Sequence, residues 1–390
     1  MTAIHIRQPA LVIKAGARAR RLLQQGLHPS QVGILPGAAG GPKAVGLTGL
    51  DQAVFGWLAG AARERDLVGA SIGGWRFACA MQPDPAQALA RLAERYTAEH
   101  YHPGVTVAQI TAQTRQMLGD ILGPDGFEHI LSHPHHRLSL LLVQSRGLAN
   151  REDRSSLLPG LALAAALNAV SRPLIRHAFS RVICHDPRSA LRFQPADAIP
   201  TRLYPLAAGN LEQALMGTVA IPGVLHGVQL PDAPEAIYRD GGLTDYHIDF
   251  PFAHGDDIAL YPHFTDRIVP GWFDKPLPWR KPGAANHANT VLLAPSREYL
   301  AALPGRHLPD RKDFRRYLGR DELRRQHWRA ATAESQRLGD AFQPACAQHC
   351  SSGMSRGVAF SSTTTSRDCA PLLRRTVILS ATPGWSASRR

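Results

Sequence analysis

The sequence predicts an α/β fold with a mostly parallel central sheet, and three observations carry that prediction. Short apolar runs recur along the chain, stretches with helical spacing separate them, and Gly-rich turns mark several of the joins. The 390 residues are 44% hydrophobic, ample for a large core in one large domain or two smaller ones. Charged residues make up only 19%, so the chain does not read as disordered.

Residues 10–25 read as an amphipathic helix with Gly26 as its stop. Val32-Gly33-Ile34-Leu35 reads as a buried strand, followed by a Gly-rich turn and an apolar helix over 44–58. Leu67-Val68 is a second strand, running into Gly69 and a third helix. Helices are expected over 86–101 and 105–122, a strand over 137–144, and an apolar helix over 157–170 that packs in the interior. Further strands are expected around 182–184, 237–239, 258–261 and 290–293, with helices over 295–302 and 310–338. The domain reading is therefore an N-terminal helix in 1–29, one domain over 30–342, and a basic Ser/Thr/Arg-rich tail over 343–390.

Three short motifs carry chemistry. Gly69-Ala70-Ser71-Ile72-Gly73 matches G-x-S-x-G, a tight strand-to-helix turn that holds a serine in a strained conformation. Its flanking glycines, Gly69 and Gly73, let backbones cross closely, and the helix that follows points amide groups at the site. Upstream, Gly40-Gly41-Pro42-Lys43 can supply oxyanion donors: the amides of Gly40, Gly41 and Lys43, Pro42 having none. The turn lacks the phosphate-loop pattern, because Lys43 is followed by Ala44, and it lacks a dinucleotide fingerprint. Asp240-Gly241-Gly242 follows an apolar strand and places a carboxylate on a permissive turn, where it can act as base toward Ser71.

In this order the three motifs resemble the patatin-like phospholipase family, with Ala220-Ile221-Pro222-Gly223 as a further match. The resemblance spans about residues 30–265. It implies a three-layer α/β/α fold, a Ser71–Asp240 dyad working without histidine, an acyl-enzyme intermediate, and a lipid ester as substrate. No cofactor or metal is implied. The chain departs from the family pattern at Ala39 and Ala44, and in the long Leu243-Thr244-Asp245-Tyr246-His247-Ile248-Asp249-Phe250-Pro251 stretch.

Two rival readings are an α/β-hydrolase triad using His254 or His263, and a non-catalytic lipid-binding protein of the same fold. His100, His102, His133, His135 and His136 match no helical metal-ligand spacing. Residues 264–281 interleave Phe264, Trp272, Phe273 and Trp279 with Arg267, Lys275, Arg280 and Lys281, a composition that suits lipid headgroups. The formal net charge of +13 favours anionic partners, but no nucleic-acid module is present. Five cysteines, no sustained apolar leader and no apolar run of about 18 residues suggest a cytoplasmic protein, peripheral at most to a membrane.

Overall fold

The computed structural model describes residues 10–23, 26–102, 104–252 and 255–347. Nine strands among them form one mixed sheet: β1 (Leu11–Ala15), β2 (Val32–Gly37), β3 (Arg65–Ala70), β4 (His136–Ser145), β5 (Phe179–His185), β6 (Thr201–Pro205), β7 (Tyr238–Asp240), β8 (Ile258–Pro262) and β9 (Thr290–Pro295). The order is β1-β9-β8-β2-β3-β4-β5-β6, with β7 paired to β4. The run from β9 through β4 is parallel, as is β5–β6, while β1–β9, β4–β5 and β4–β7 are antiparallel. The four strands β2, β3, β8 and β9 are buried along their whole length, as parallel strands covered on both faces must be.

The described helices are α1 (Ala17–Leu23), α2 (Thr48–Leu58), α3 (Ile72–Ala80), α4 (Pro85–Ala98), α5 (Val107–Leu122), α6 (Gly126–Ser132), α7 (Arg154–Val170), α8 (Leu211–Thr218), α9 (Arg297–Ala302), α10 (Asp313–Arg316), α11 (Asp321–Glu334) and α12 (Gln336–Ala347). No described helix is long and apolar enough to cross a membrane. A buried pair, Arg76 Nε to Asp51 Oδ2 at 2.7 Å, links α3 to α2.

Three sequence-based expectations need correction. The expected N-terminal helix is a strand and then a helix. Leu11 and Ile13 alternate inward and pair with Pro295 and Leu293, so period two wins over the helical reading. The crossing falls at Gly16, where a Cβ would overlap the carbonyl oxygen of His287, and the amides of Arg18 and Ala19 then bond to Ala288 O. Gly26 has φ of 92°, a conformation that suits the helix stop expected there.

The domain edge expected at Phe342 falls inside α12. Phe342 is buried against Trp57 with ring centroids 5.4 Å apart, and the helix continues through Ala347. The rest of the expected tail lies outside the described residues. The α7 helix, expected to be interior, buries only a stripe of Leu157, Gly160, Ala164 and Asn168. Leu158, Leu163 and Val170 are exposed among the described residues, because apolar residues cover most of the helix circumference while only one stripe faces the core.

Strand β1 is thus part of the sheet, and a cavity beneath its edge should be costly. Ile13→Ala should lower unfolding stability by about 2–5 kcal/mol, read from a urea melt, whereas a separable N-terminal helix would leave the midpoint unchanged.

Candidate active site

Strand β4 brings the two key segments together. β3 runs parallel to it and ends with Ala70 opposite Leu141. β7 runs antiparallel and places Asp240 opposite Leu142, the next position along. Ser71, one residue beyond β3, therefore meets the last residue of β7. Ser71 Oγ donates to Asp240 Oδ2 at 2.7 Å, with both side chains buried.

Each motif glycine has a steric reason. A Cβ at Gly69 would overlap the backbone of Gly74, and one at Gly73 would overlap Gly37 O. A Cβ at Gly241 would overlap Leu141 O, so only glycine lets this turn lie against β4. Ser71 itself has φ 54° and ψ −131°, a left-handed strain that a non-glycine residue rarely accepts. The turn is held by Thr218 at the end of α8, whose hydroxyl accepts from Ser71 N at 2.9 Å and donates to Leu141 O at 2.6 Å. The Asp240 amide bonds to Ala220 O, which explains why the Ala220-Ile221-Pro222-Gly223 segment sits beside the carboxylate.

Asp240 also accepts from Gly242 N at 2.7 Å through its second oxygen. Burial pushes its carboxyl up to about 6; the Ser71 hydroxyl, the Gly242 amide and the charges of Arg311 and Lys275 pull in the opposite direction.

Of the three candidate oxyanion donors, Gly41 borders the same cavity as Ser71, with φ of 56°. Gly40 lies under the Phe264 ring, whose atoms a Cβ there would meet at 2.7 Å. Lys43 departs from expectation: its amide turns back to Gly40 O and its ammonium pairs with Asp310. Its charge is therefore matched by a carboxylate, not open to the cavity. The Gly-rich turn forms a 3-10 segment, Gly41–Leu47, leading into α2. Its start is tied by Ala39 N to Tyr246 O at 2.9 Å, so the long stretch after Asp240 braces the loop.

The cavity, about 70 Å³, has room for a handful of water-sized groups. Ile72, Trp75, Met117, Val219 and Leu225 give it apolar wall; Tyr96, Glu99, Tyr101 and Arg311 give it polar wall. These residues come from α3, α4, α5 and the segments after α4, after α8 and before α10, and α7 contributes none. Glu99 accepts from Tyr101 at 2.7 Å, and burial raises its carboxyl to about 7. The polar wall and Thr218 were not visible in the sequence, where each is a lone residue without a motif.

Histidine does not complete a triad among the described residues. His263 is buried, bonds to Thr265 through Nδ1, and is pushed by burial down to about 3. It stacks on Phe264 and lies outside the cavity lining. His254 lies outside the described residues.

The aromatic loop at 264–281 is divided. Phe264 and Phe273 are buried, and Arg280 is turned inward to Asn168 O and Asp274. Trp272 and Trp279 are 48% and 65% exposed, and Arg267, Lys275 and Lys281 are also exposed. The turn that carries Trp272 packs against α7.

Neither a protein-family model nor a curated protein matches this chain.

Proposed function

We propose that the protein is a serine acyl-ester hydrolase acting on lipid esters through a Ser71–Asp240 dyad. The observation that supports it best is the 2.7 Å contact between Asp240 and a serine held at positive φ, on a cavity bordered by Gly41. The assignment of a three-layer patatin-like architecture belongs to this proposal. Its support is the mostly parallel sheet with helices between β1 and β2, β2 and β3, β3 and β4, and β4 and β5.

In the proposed cycle Asp240 takes the Ser71 proton as Oγ attacks the ester carbonyl. The oxyanion that forms is met by backbone amides, with Gly41 and the opening residues of α3 as the donors at hand. The tetrahedral species collapses, the alkoxide leaves with the proton held by Asp240, and an acyl-enzyme remains. Water then attacks the acyl carbon, giving its proton to Asp240. Ser71 recovers that proton as the carboxylic acid departs. A carboxylate with a pKa lifted toward neutrality is a better proton acceptor than an ordinary one, yet stays mostly ionised at pH 7.

The apolar surface gives the reading its lipid side. Trp272, Trp279, Leu158, Leu163 and Val170 are all exposed, and Trp272 and α7 belong to adjoining elements. Exposed tryptophans among lysines and arginines suit the headgroup layer of an anionic bilayer.

Ser71→Ala should abolish both ester hydrolysis and labelling by a fluorophosphonate, and Asp240→Asn should lower kcat/KM by about 10²–10⁴-fold. Labelling of the Ser71→Ala protein at the wild-type level would sink the assignment. The sign of the pH dependence follows from the base: Asp240 must be ionised, so kcat/KM should rise through an acid limb with apparent pKa about 6 and be lost as pH falls below it. A limb near the ordinary aspartate value would show that this carboxylate is not the proton acceptor. On the membrane side, Trp272→Ala with Trp279→Ala should depress hydrolysis of anionic vesicles far more than of a soluble short-chain ester. Equal loss on both, with a lowered melting temperature, would mean that the rings only pack.

A further inference from the structure

We propose that Arg311 determines specificity by binding an anionic group, carboxylate or phosphate, carried by the substrate beside its scissile ester. The proposal deepens the hydrolase reading and rests on it. Arg311 sits just ahead of α10, far in sequence from every motif at the site, yet it lines the cavity with Ser71 and Gly41. Its Nη2 lies 3.4 Å from where a Cβ would stand on Gly41, an ordinary van der Waals distance that places the guanidinium beside the turn.

Among the described residues the charge of Arg311 is not matched by an ion pair. Among the described residues no carboxylate lies within 4 Å of it. The carboxylates that sense it are engaged elsewhere: Asp240 with Ser71 and Gly242, and Glu99 with Tyr101. Its polar neighbour is the Tyr96 hydroxyl, which burial keeps neutral. Other arginines contrast with it: Arg76, Arg172, Arg181 and Arg188 each hold a carboxylate.

A guanidinium presents a planar fork of donors that fits two oxygens of a carboxylate or phosphate. Here the fork borders a cavity whose other wall includes Trp75, Met117, Val219 and Leu225, where water screens charge less than at an open surface. Glu99, the carboxyl on the same wall, is raised to about 7 by burial and so offsets the Arg311 charge only in part near neutral pH. Lys275, whose ammonium lies 3.7 Å from the centroid of the Tyr246 ring, adds positive potential on the Asp240 side. An ester with an anion close to its scissile bond would therefore be held by Arg311 while its carbonyl faces Ser71. A neutral ester lacks that anchor.

The test uses the full chain and three soluble esters of one short acyl length: a neutral 4-nitrophenyl ester, a phosphate-bearing glycerol ester and a carboxylate-bearing ester. Wild type should prefer at least one anionic ester over the neutral one. In Arg311→Gln the ratio of kcat/KM, anionic over neutral, should fall about ten- to hundredfold, mainly through KM, with partial recovery in Arg311→Lys. The anionic ester that responds tells phosphate from carboxylate. No anionic preference in wild type, or an unchanged ratio in the folded variants, would overturn the proposal. Failure of the hydrolase reading is separable. If no ester is turned over, calorimetric binding of the same two anionic esters to wild type and Arg311→Gln decides the role of Arg311 alone. Binding lost in the variant supports it, and equal binding, or none to either protein, overturns it.

Discussion

The site depends on two strands sharing one edge of β4. β3 arrives parallel and stops at Leu141; β7 arrives antiparallel and stops at Leu142. The backbone ladder, not the attraction between a hydroxyl and a carboxylate, brings Ser71 and Asp240 to 2.7 Å. That matters energetically, because a carboxylate moved out of water without partners is strongly disfavoured. The ladder holds it in place, and Ser71 and Gly242 supply one hydrogen bond to each of its oxygens. The glycines at 69, 73 and 241 are the steric condition for the arrangement, since each faces a backbone where a Cβ would stand.

Two further devices keep the meeting point rigid. The conformation of Ser71 costs about 1–3 kcal/mol, and Thr218 offsets part of it by bonding the Ser71 amide and Leu141 O at once. The return path from β7 is anchored by two arginines, Arg181 buried and Arg172 half-buried. Arg181 on β5 binds Asp245 through Nε at 2.7 Å, and Arg172 binds Thr244 O at 2.7 Å and Asp274 at 2.9 Å. These pairs fix the segment whose Tyr246 carbonyl holds the amide of Ala39, next to the Gly-rich turn. Charge-assisted bonds thus hold the segment after β7, and one backbone bond ties that segment to the candidate oxyanion loop.

Much of this is legible in the sequence, for identifiable reasons. Central strands such as β2, β4 and β9 are short apolar runs with few other readings, and the elbow and the Asp-Gly-Gly turn have local steric signatures. The failures are equally physical. β1 is followed closely by a helix, so its alternation was absorbed into a helical period. β6 is an edge strand, exposed along most of its length, with no apolar run to mark it. Residues 157–170 read as interior from composition, but only one stripe of α7 faces the core. Thr218, Glu99 and Arg311 reach the site through tertiary packing alone, which no spacing along the chain encodes. Lys43 was visible, but its partner Asp310 stands 267 positions away.

The same lesson applies to charge. A net +13 says little about the cavity, where individual pairings decide which cations are matched and which are not. Asp240 must remain ionised near neutral pH and still accept a proton. Burial raises its pKa, and Arg311 and Lys275 are among the groups that hold it down. On the proposed role of Arg311 these requirements become linked. An anion that binds the guanidinium weakens the cationic field on Asp240, so the base becomes a stronger proton acceptor when the substrate is in place. Binding and base strength would then change together at one residue. An isolated buried carboxylate, perturbed by desolvation alone, would have no such coupling.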